Sequence, residues 1–155
     1  MNLPSSPHIE LTEDGSLTLF APSFGEHYHS THGAVQESLH IYIGMALAER
    51  QRATRGEGTP LRLFEVGFGT GLNALLTYQM AEAERIPVHY YSIEKYPVAP
   101  DVYEVLHYEG VTGPLDSAEA LHALHSAPWG EAVQLSPFFT LEKLHGDLTE
   151  CHFPE

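Results

Sequence analysis

Three glycines alternate with bulkier residues in Glu65-Val66-Gly67-Phe68-Gly69-Thr70-Gly71. The loop follows a short apolar run, Leu61 to Val66, which reads as a buried strand. It precedes a helical stripe of Leu72, Leu75, Leu76, Met80 and Ala83 within Leu72 to Arg85. A glycine turn between strand and helix lets main chain approach a ligand closely and aims the first helical N–H groups at it. Such a loop commits this part of the chain to strand, turn and helix.

The remaining segments agree. Val88 to Ile93 reads as a second strand, ending at Glu94-Lys95, and Phe138 to Leu144 as a third, ending at Gly146-Asp147. Asp101 to His107 reads as a helix, and so does Ser117 to His125 on its Leu121 and Leu124 stripe. Strand, helix, strand, helix, strand is the order of an open α/β sheet with crossover helices. Nearer the N-terminus, Ile9 to Thr12 and Ser16 to Phe20 alternate polar and apolar about Asp14-Gly15, a β-hairpin signature. A polar, aromatic connector runs from Ser23 to His32. Val35, Leu39, Tyr42, Ile43, Ala46 and Leu47 then share one helical face, with Ser30 or Thr31 as cap and Arg50 to Gly58 as the end. The expected organisation is a hairpin and connector over 1–32 and one α/β domain over 33–155. A doubly wound sheet normally has two halves, and the sequence stops about eight residues past the third strand. It therefore reads as the first half of a larger domain, whose unpaired sheet edge predicts self-association.

Composition narrows the partners. The chain has 155 residues, 43% hydrophobic and 18% charged, which suits one folded core. No apolar run approaches the ~20 residues that cross a bilayer. Met1 to Pro7 has neither the basic nor the apolar region of a signal peptide. Cys151 is the single cysteine, so no internal disulfide can form, and it has no evident activating partner. A cytoplasmic protein without a membrane partner is the expectation. Net charge is −14. Proteins that grip nucleic acid usually present a basic patch. Here only Arg50, Arg52, Arg55 and Arg62 group loosely, so charge alone argues against a nucleic-acid substrate.

The loop's spacing selects among ligands. Dinucleotide sites use Gly-x-Gly-x-x-Gly and place a pyrophosphate on the helix dipole. Gly67-x-Gly69-x-Gly71 departs from that spacing, and Glu65 stands two positions ahead of it. A carboxylate there repels a pyrophosphate. It suits S-adenosylmethionine, which carries a sulfonium and an ammonium and no phosphate. A bare structural turn and a nucleotide-phosphate site are the alternatives. Glu94 ends the next strand, 23 positions after Gly71, where an acid binds ribose hydroxyls in such sites; the bland alternative is a solvated loop acid. Asp147 ends the third strand, at the place that reads the adenine amino group, or is an ordinary turn residue. Histidines cluster at His27, His29 and His32, and His122 and His125 are one helical turn apart. No cysteine or carboxylate stands at familiar ligand spacing beside them, so no metal is expected.

Several segments together resemble the MnmC-type tRNA methyltransferase family. They are Glu26-His27-Tyr28-His29-Ser30, Gly33-Ala34-Val35-Gln36-Glu37-Ser38-Leu39-His40-Ile41-Tyr42-Ile43, and Phe64-Glu65-Val66-Gly67-Phe68-Gly69-Thr70-Gly71-Leu72-Asn73. Tyr91-Ser92-Ile93-Glu94-Lys95-Tyr96-Pro97 and Leu144-His145-Gly146-Asp147 fit the same pattern. The resemblance implies a class I, Rossmann-like fold that uses S-adenosylmethionine to methylate 5-aminomethyl-2-thiouridine at the tRNA wobble position. It implies that Glu65, Gly67, Phe68, Gly69, Thr70, Gly71 and Asn73 line the methionine part, Glu94 the ribose and Asp147 the adenine. Tyr28, Ser30 and Glu37 match a segment that closes over the cofactor.

Methyl transfer to an amine is an in-line displacement that needs a neutral lone pair, alignment within about 3–3.5 Å and exclusion of water. Family members continue into an Asp-Gly/Ala-Phe-x-Pro segment on the substrate side, and nothing here matches it. No catalytic residue is therefore assigned, and tRNA enters as a partner by resemblance alone. A methyltransferase of a small molecule or protein fits the acidic charge better. A non-catalytic S-adenosylmethionine-binding fragment is the third reading.

Overall fold

The computed structural model describes residues 7–29, 31–45, 48, 59–106, 108 and 117–151. The N-terminal hairpin forms from β1 (His8–Leu11) and β2 (Leu17–Ala21), paired antiparallel from His8↔Phe20 to Leu11↔Leu17. A third strand, β3 (Glu26–His27), adds to β2. Two residues are too few to show a period of two, so β3 has no signature in the sequence.

One carboxylate ties this sheet to the next element. Asp14 Oδ1 accepts from Thr12 Oγ1, Ser16 N–H and Ser16 Oγ, while Oδ2 accepts from Gln36 N–H at 3.3 Å. Gln36 lies in the first turn of α1 (Ala34–Ser38), whose own N-cap, Gly33, has no side chain to offer. The cap thus comes from the hairpin turn rather than from Thr31, and Ser30 lies outside the described residues. Burial alone would raise the Asp14 carboxyl, but the donors from Ser16, Thr12 and Gln36 outweigh it and bring it down to about 2.

α1 runs on as a π-helical turn, Leu39–Ile43. That wider turn breaks the expected 3.6-residue stripe: Val35 is 2% exposed and Leu39 44%. Ala46, Leu47 and the expected helix end over 50–58 lie outside the described residues, as do the side chains of Ile41 and Tyr42.

The main sheet has the order β4 (Leu61–Val66), β5 (Val88–Glu94), β7 (Phe139–His145), β6 (Ala132–Ser136). β4, β5 and β7 are parallel, with Leu61↔Val88 and Val88↔Phe139 in register, and β6 pairs antiparallel with β7. α2 (Leu72–Glu84) joins β4 to β5, while α3 (Pro100–Tyr103) and α4 (Ser117–Ser126) lie between β5 and β6. The result is a mixed α/β fold.

Two expectations need correcting. The third helix stops at Tyr103, with Glu104 and Val105 in a turn, and His107 lies outside the described residues. β6 was not anticipated, and it covers β7. Among the described residues β4 and β6 are the two edge strands of this sheet, and Phe64 and Val66 of β4 are 44% and 59% exposed.

α2 presses Leu72, Leu75, Leu76, Met80 and Ala81 into a core with Val88, Tyr90, Phe139 and Leu141 of the sheet and Leu121 and Leu124 of α4. Ala83, expected on that side, is exposed. Each fully buried leucine contributes about 1.5–3 kcal/mol, so this shared core dominates stability. Leu19, Ala34, Val35 and Tyr108 belong to the same cluster, and the Tyr108 hydroxyl donates to Leu17 O at 3.1 Å. The N-terminal sheet is thereby fixed over the carboxyl ends of the parallel strands, where the glycine loop lies. Among the described residues no helix is long and apolar enough to cross a membrane.

Candidate functional site

The loop leaves β4 at Gly67, whose N–H donates to Ile93 O at 2.8 Å. The next amide inward, Gly69 N–H, donates to Glu94 Oε2 at 3.0 Å, and Tyr96 N–H donates to Glu94 Oε1 at 2.8 Å. Gly71 N–H closes the turn onto Phe68 O at 3.0 Å. Gly69 and Gly71 have φ of 53° and 75°, the left-handed region that side chains rarely enter. Space forbids a side chain as well. A Cβ on Gly69 would stand 2.8 Å from Tyr28 Cδ1, and one on Gly71 3.0 Å from His125 Nε2. The loop is gripped between the N-terminal sheet and α4.

A cleft opens beside it. Seven of the sequence-predicted residues meet on its wall: Tyr28, Glu37, Glu65, Gly67, Phe68, Gly69 and Asn73. Thr70 and Gly71 sit behind the loop, and Thr70 is fully buried. Glu94 meets the loop through the Gly69 amide rather than standing on the cleft wall. Asp147 also stands off that wall. It accepts from Lys95 Nζ at 2.6 Å and from Thr149 N–H and Oγ1, and these donors hold its carboxyl well below the usual range. Ser30 lies outside the described residues. His29, weighed above only as a metal ligand, and Ser38 also line the cleft. Their signal was their position, beside Tyr28 and Glu37 in segments already marked.

The electrostatics are those of an acceptor-rich pocket. Glu65 is 2% exposed, and burial pushes its carboxyl up to about 7 even though Asn73 Nδ2 and Ser92 Oγ donate to it at 2.9 and 3.0 Å. Burial lowers His29, which keeps its ring neutral, and burial with the nearby Glu94 charge raises the Tyr28 hydroxyl. Asn73 Oδ1 and Ser38 Oγ are buried without a hydrogen-bond partner among the described residues. Among the described residues no lysine or arginine lines the cleft. An orphaned amide oxygen and hydroxyl beside the buried Glu65 and the exposed Glu37 suit a ligand that brings donors and positive charge. They do not suit a phosphate.

The histidine cluster disperses. His27 bonds Glu10 at 2.7 Å, His32 pairs with Glu13 at 3.0 Å and His29 turns inward to Thr70.

No family model matches the chain. It is similar to the tRNA 5-methylaminomethyl-2-thiouridine biosynthesis bifunctional protein MnmC of Pseudomonas aeruginosa, 30% identical over 129 residues, which are 81% of this chain and 18% of that protein. The protein of that name from Burkholderia thailandensis is 40% identical over 95 residues, 57% of this chain and 13% of its own length. The crystal structure of MNMC2 from Aquifex aeolicus matches with a TM-score of 0.69 and 27% identity, over 93% of this chain and 43% of that one. The chain spans less than a fifth of these curated relatives and less than half of the solved chain.

Proposed function

This chain is a relative of the MnmC proteins over most of its length, and from that premise we propose that it carries the S-adenosylmethionine-binding part of a Rossmann-like class I methyltransferase. The substrate in this reading is 5-aminomethyl-2-thiouridine at the tRNA wobble position. One observation carries the cofactor assignment: a glycine loop bordered by Glu65, Glu37, the unpartnered Asn73 Oδ1 and the unpartnered Ser38 hydroxyl, with no cation on the cleft wall among the described residues.

S-adenosylmethionine supplies an electrophilic methyl group when bound. Glu65 and Asn73 would receive its ammonium. Glu94 has two of roughly four carboxylate lone-pair positions left for ribose hydroxyls after Gly69 and Tyr96. Asp147, with three donors in place, keeps one for the adenine amino group. Residues 1–32 would close over the cofactor, with Tyr28 lying on Gly69, and 33–155 would hold it. Closing that face excludes water from the reacting centre.

The net charge of −14 favours a second reading, in which a class I methyltransferase of this type acts on a small molecule or a protein. Titration calorimetry with S-adenosylhomocysteine and NAD tests the cofactor, and tighter binding of NAD would overturn it. Transfer of labelled methyl from S-adenosylmethionine to tRNA carrying the aminomethyl uridine, and not to tRNA lacking it, tests the substrate. Cofactor binding with no transfer to either tRNA would move the assignment to the second reading, or to a non-catalytic binding role.

A further inference from the structure

Thr70 is held by two histidines from distant parts of the chain. His29 Nε2 meets Thr70 Oγ1 at 3.0 Å, from just beyond β3. His125, near the end of α4, donates its Nε2–H to the Thr70 carbonyl at 2.9 Å. Burial brings the His125 ring down to about 4, so it is neutral, and its single proton is fixed on Nε2 by that bond.

His125 is itself held by three neighbours. Its ring stacks on Tyr103 at 4.3 Å and 13°, and meets Phe68 edge-on at 5.2 Å. Its own carbonyl accepts from Lys143 Nζ at 2.6 Å. Lys143 is 1% exposed and keeps its ammonium 5.1 Å from the Phe68 ring and 4.5 Å from the Trp129 ring. A buried ammonium is costly unless it is bonded, and here a carbonyl and two aromatic faces compensate. Lys143 on β7, His125 on α4 and Thr70 in the loop form one connected line, and neither Lys143 nor His125 lines the cleft.

Peptide planarity gives that line its effect. The Thr70–Gly71 peptide has its carbonyl pinned by His125 and its N–H pinned by Phe68 O at 3.0 Å. A planar unit bonded at both ends does not rotate, and this one leads directly into the first turn of α2. Thr70 Oγ1 also accepts from Leu72 N–H at 3.4 Å. We propose that His125 is the positioning residue of the glycine loop, setting from behind the cleft the aim of the loop toward the amino-acid end of the cofactor. This rests on the S-adenosylmethionine reading above.

Two ligands separate the positioning role from general stability. S-adenosylhomocysteine has the amino-acid arm, and methylthioadenosine keeps the nucleoside without it. By calorimetry, His125→Leu should weaken S-adenosylhomocysteine about tenfold, the scale of one lost hydrogen bond, and methylthioadenosine by no more than about twofold. His125→Gln, whose amide can donate to the same carbonyl, should recover most of the loss. Lys143→Met should show the same split. Equal losses for both ligands, no loss at all, or a Gln variant no better than Leu would overturn the proposal. Failure of the unmutated protein to bind either ligand would instead remove the cofactor reading. Should His125→Leu not fold, NMR of isotope-labelled histidine in the unmutated chain decides. A neutral His125 protonated on Nε2 at neutral pH is expected, and a charged ring or an Nδ1–H tautomer would overturn the clamp.

Discussion

The Glu94 carboxylate and the Gly69 amide are partners, 3.0 Å apart, across the gap between β5 and the glycine loop. With its other oxygen on Tyr96 N–H, Glu94 braces two loops at once. Glu94→Ala should therefore destabilise the ligand-free protein by about 1.5–3 kcal/mol, the scale of hydrogen bonds to a charged group. In a chain of this size that lowers the melting temperature by several degrees, which a thermal scan reads directly. An unchanged melting temperature with weakened cofactor binding would show that Glu94 serves the ligand alone.

Tyr28 fills the space that a side chain on Gly69 would need. Gly69→Ala adds the ~1 kcal/mol penalty of a left-handed non-glycine residue and drives Tyr28 out of place. Affinity for S-adenosylhomocysteine should fall by about tenfold or more. Adding Tyr28→Ala should return part of that loss, and a double-mutant cycle by calorimetry measures the coupling. Strict additivity would show that the contact is not what forbids the methyl group.

Glu65 gives stability a pH dependence of defined sign. Its folded pKa, about 7, lies above its ordinary value of 4.5, so the native state holds a proton that the unfolded chain has already released. That contribution is complete below about 4.5 and is lost as pH rises through about 7. Glu65→Gln should remove this dependence and make the variant relatively more stable on the alkaline side, by about 2–3 kcal/mol at most. Urea unfolding across that range checks it. A slope shared by both proteins would assign the effect elsewhere.

Asp14 works in the opposite direction. Its carboxyl is depressed to about 2, so its contribution is present above the ordinary 3.8 and disappears as pH falls through about 2. Asp14→Ala should cost about 1 kcal/mol at neutral pH, as a lost helix cap does, and nothing in strong acid. Asp14→Asn, which keeps one acceptor oxygen for Thr12 and Ser16, should lose less. Equal losses at neutral and acid pH would mean that the charge is not what caps α1.

The glycine loop and its flanking elements were legible because their signals are local. A glycine run after Leu61 to Val66 and before the Leu72 stripe has few conformational options. The same holds for Asp14-Gly15 between alternating strands. What escaped depended on partners remote in sequence. β6 carries the alternation Ala132-Val133-Gln134-Leu135-Ser136, but a register shift between Gln134 and Ser136 and a turn through Pro137 remove the usual hairpin mark. A 3.6-residue period puts Leu39 on the Val35 face, and the π-helical turn rotates it outward. Lys143 reads on paper as a solvated lysine in Leu141-Glu142-Lys143-Leu144. Only the packing of Phe68, Trp129 and α4 around it makes it internal. At the cleft, the acids were found because charge next to glycine is conspicuous, whereas His125 acts across 55 residues of sequence.

The sequence contains two lysines, and the fold gives them opposite access: the Lys95 side chain is 52% exposed and Lys143 is 1% exposed. Acylating reagents that seek amines will therefore modify Lys95 readily. Lys143 becomes a target only when β7 parts from α4. Mass spectrometry of acylation at Lys143 would clock the opening of the core, with Lys95 in the same molecule as the internal reference.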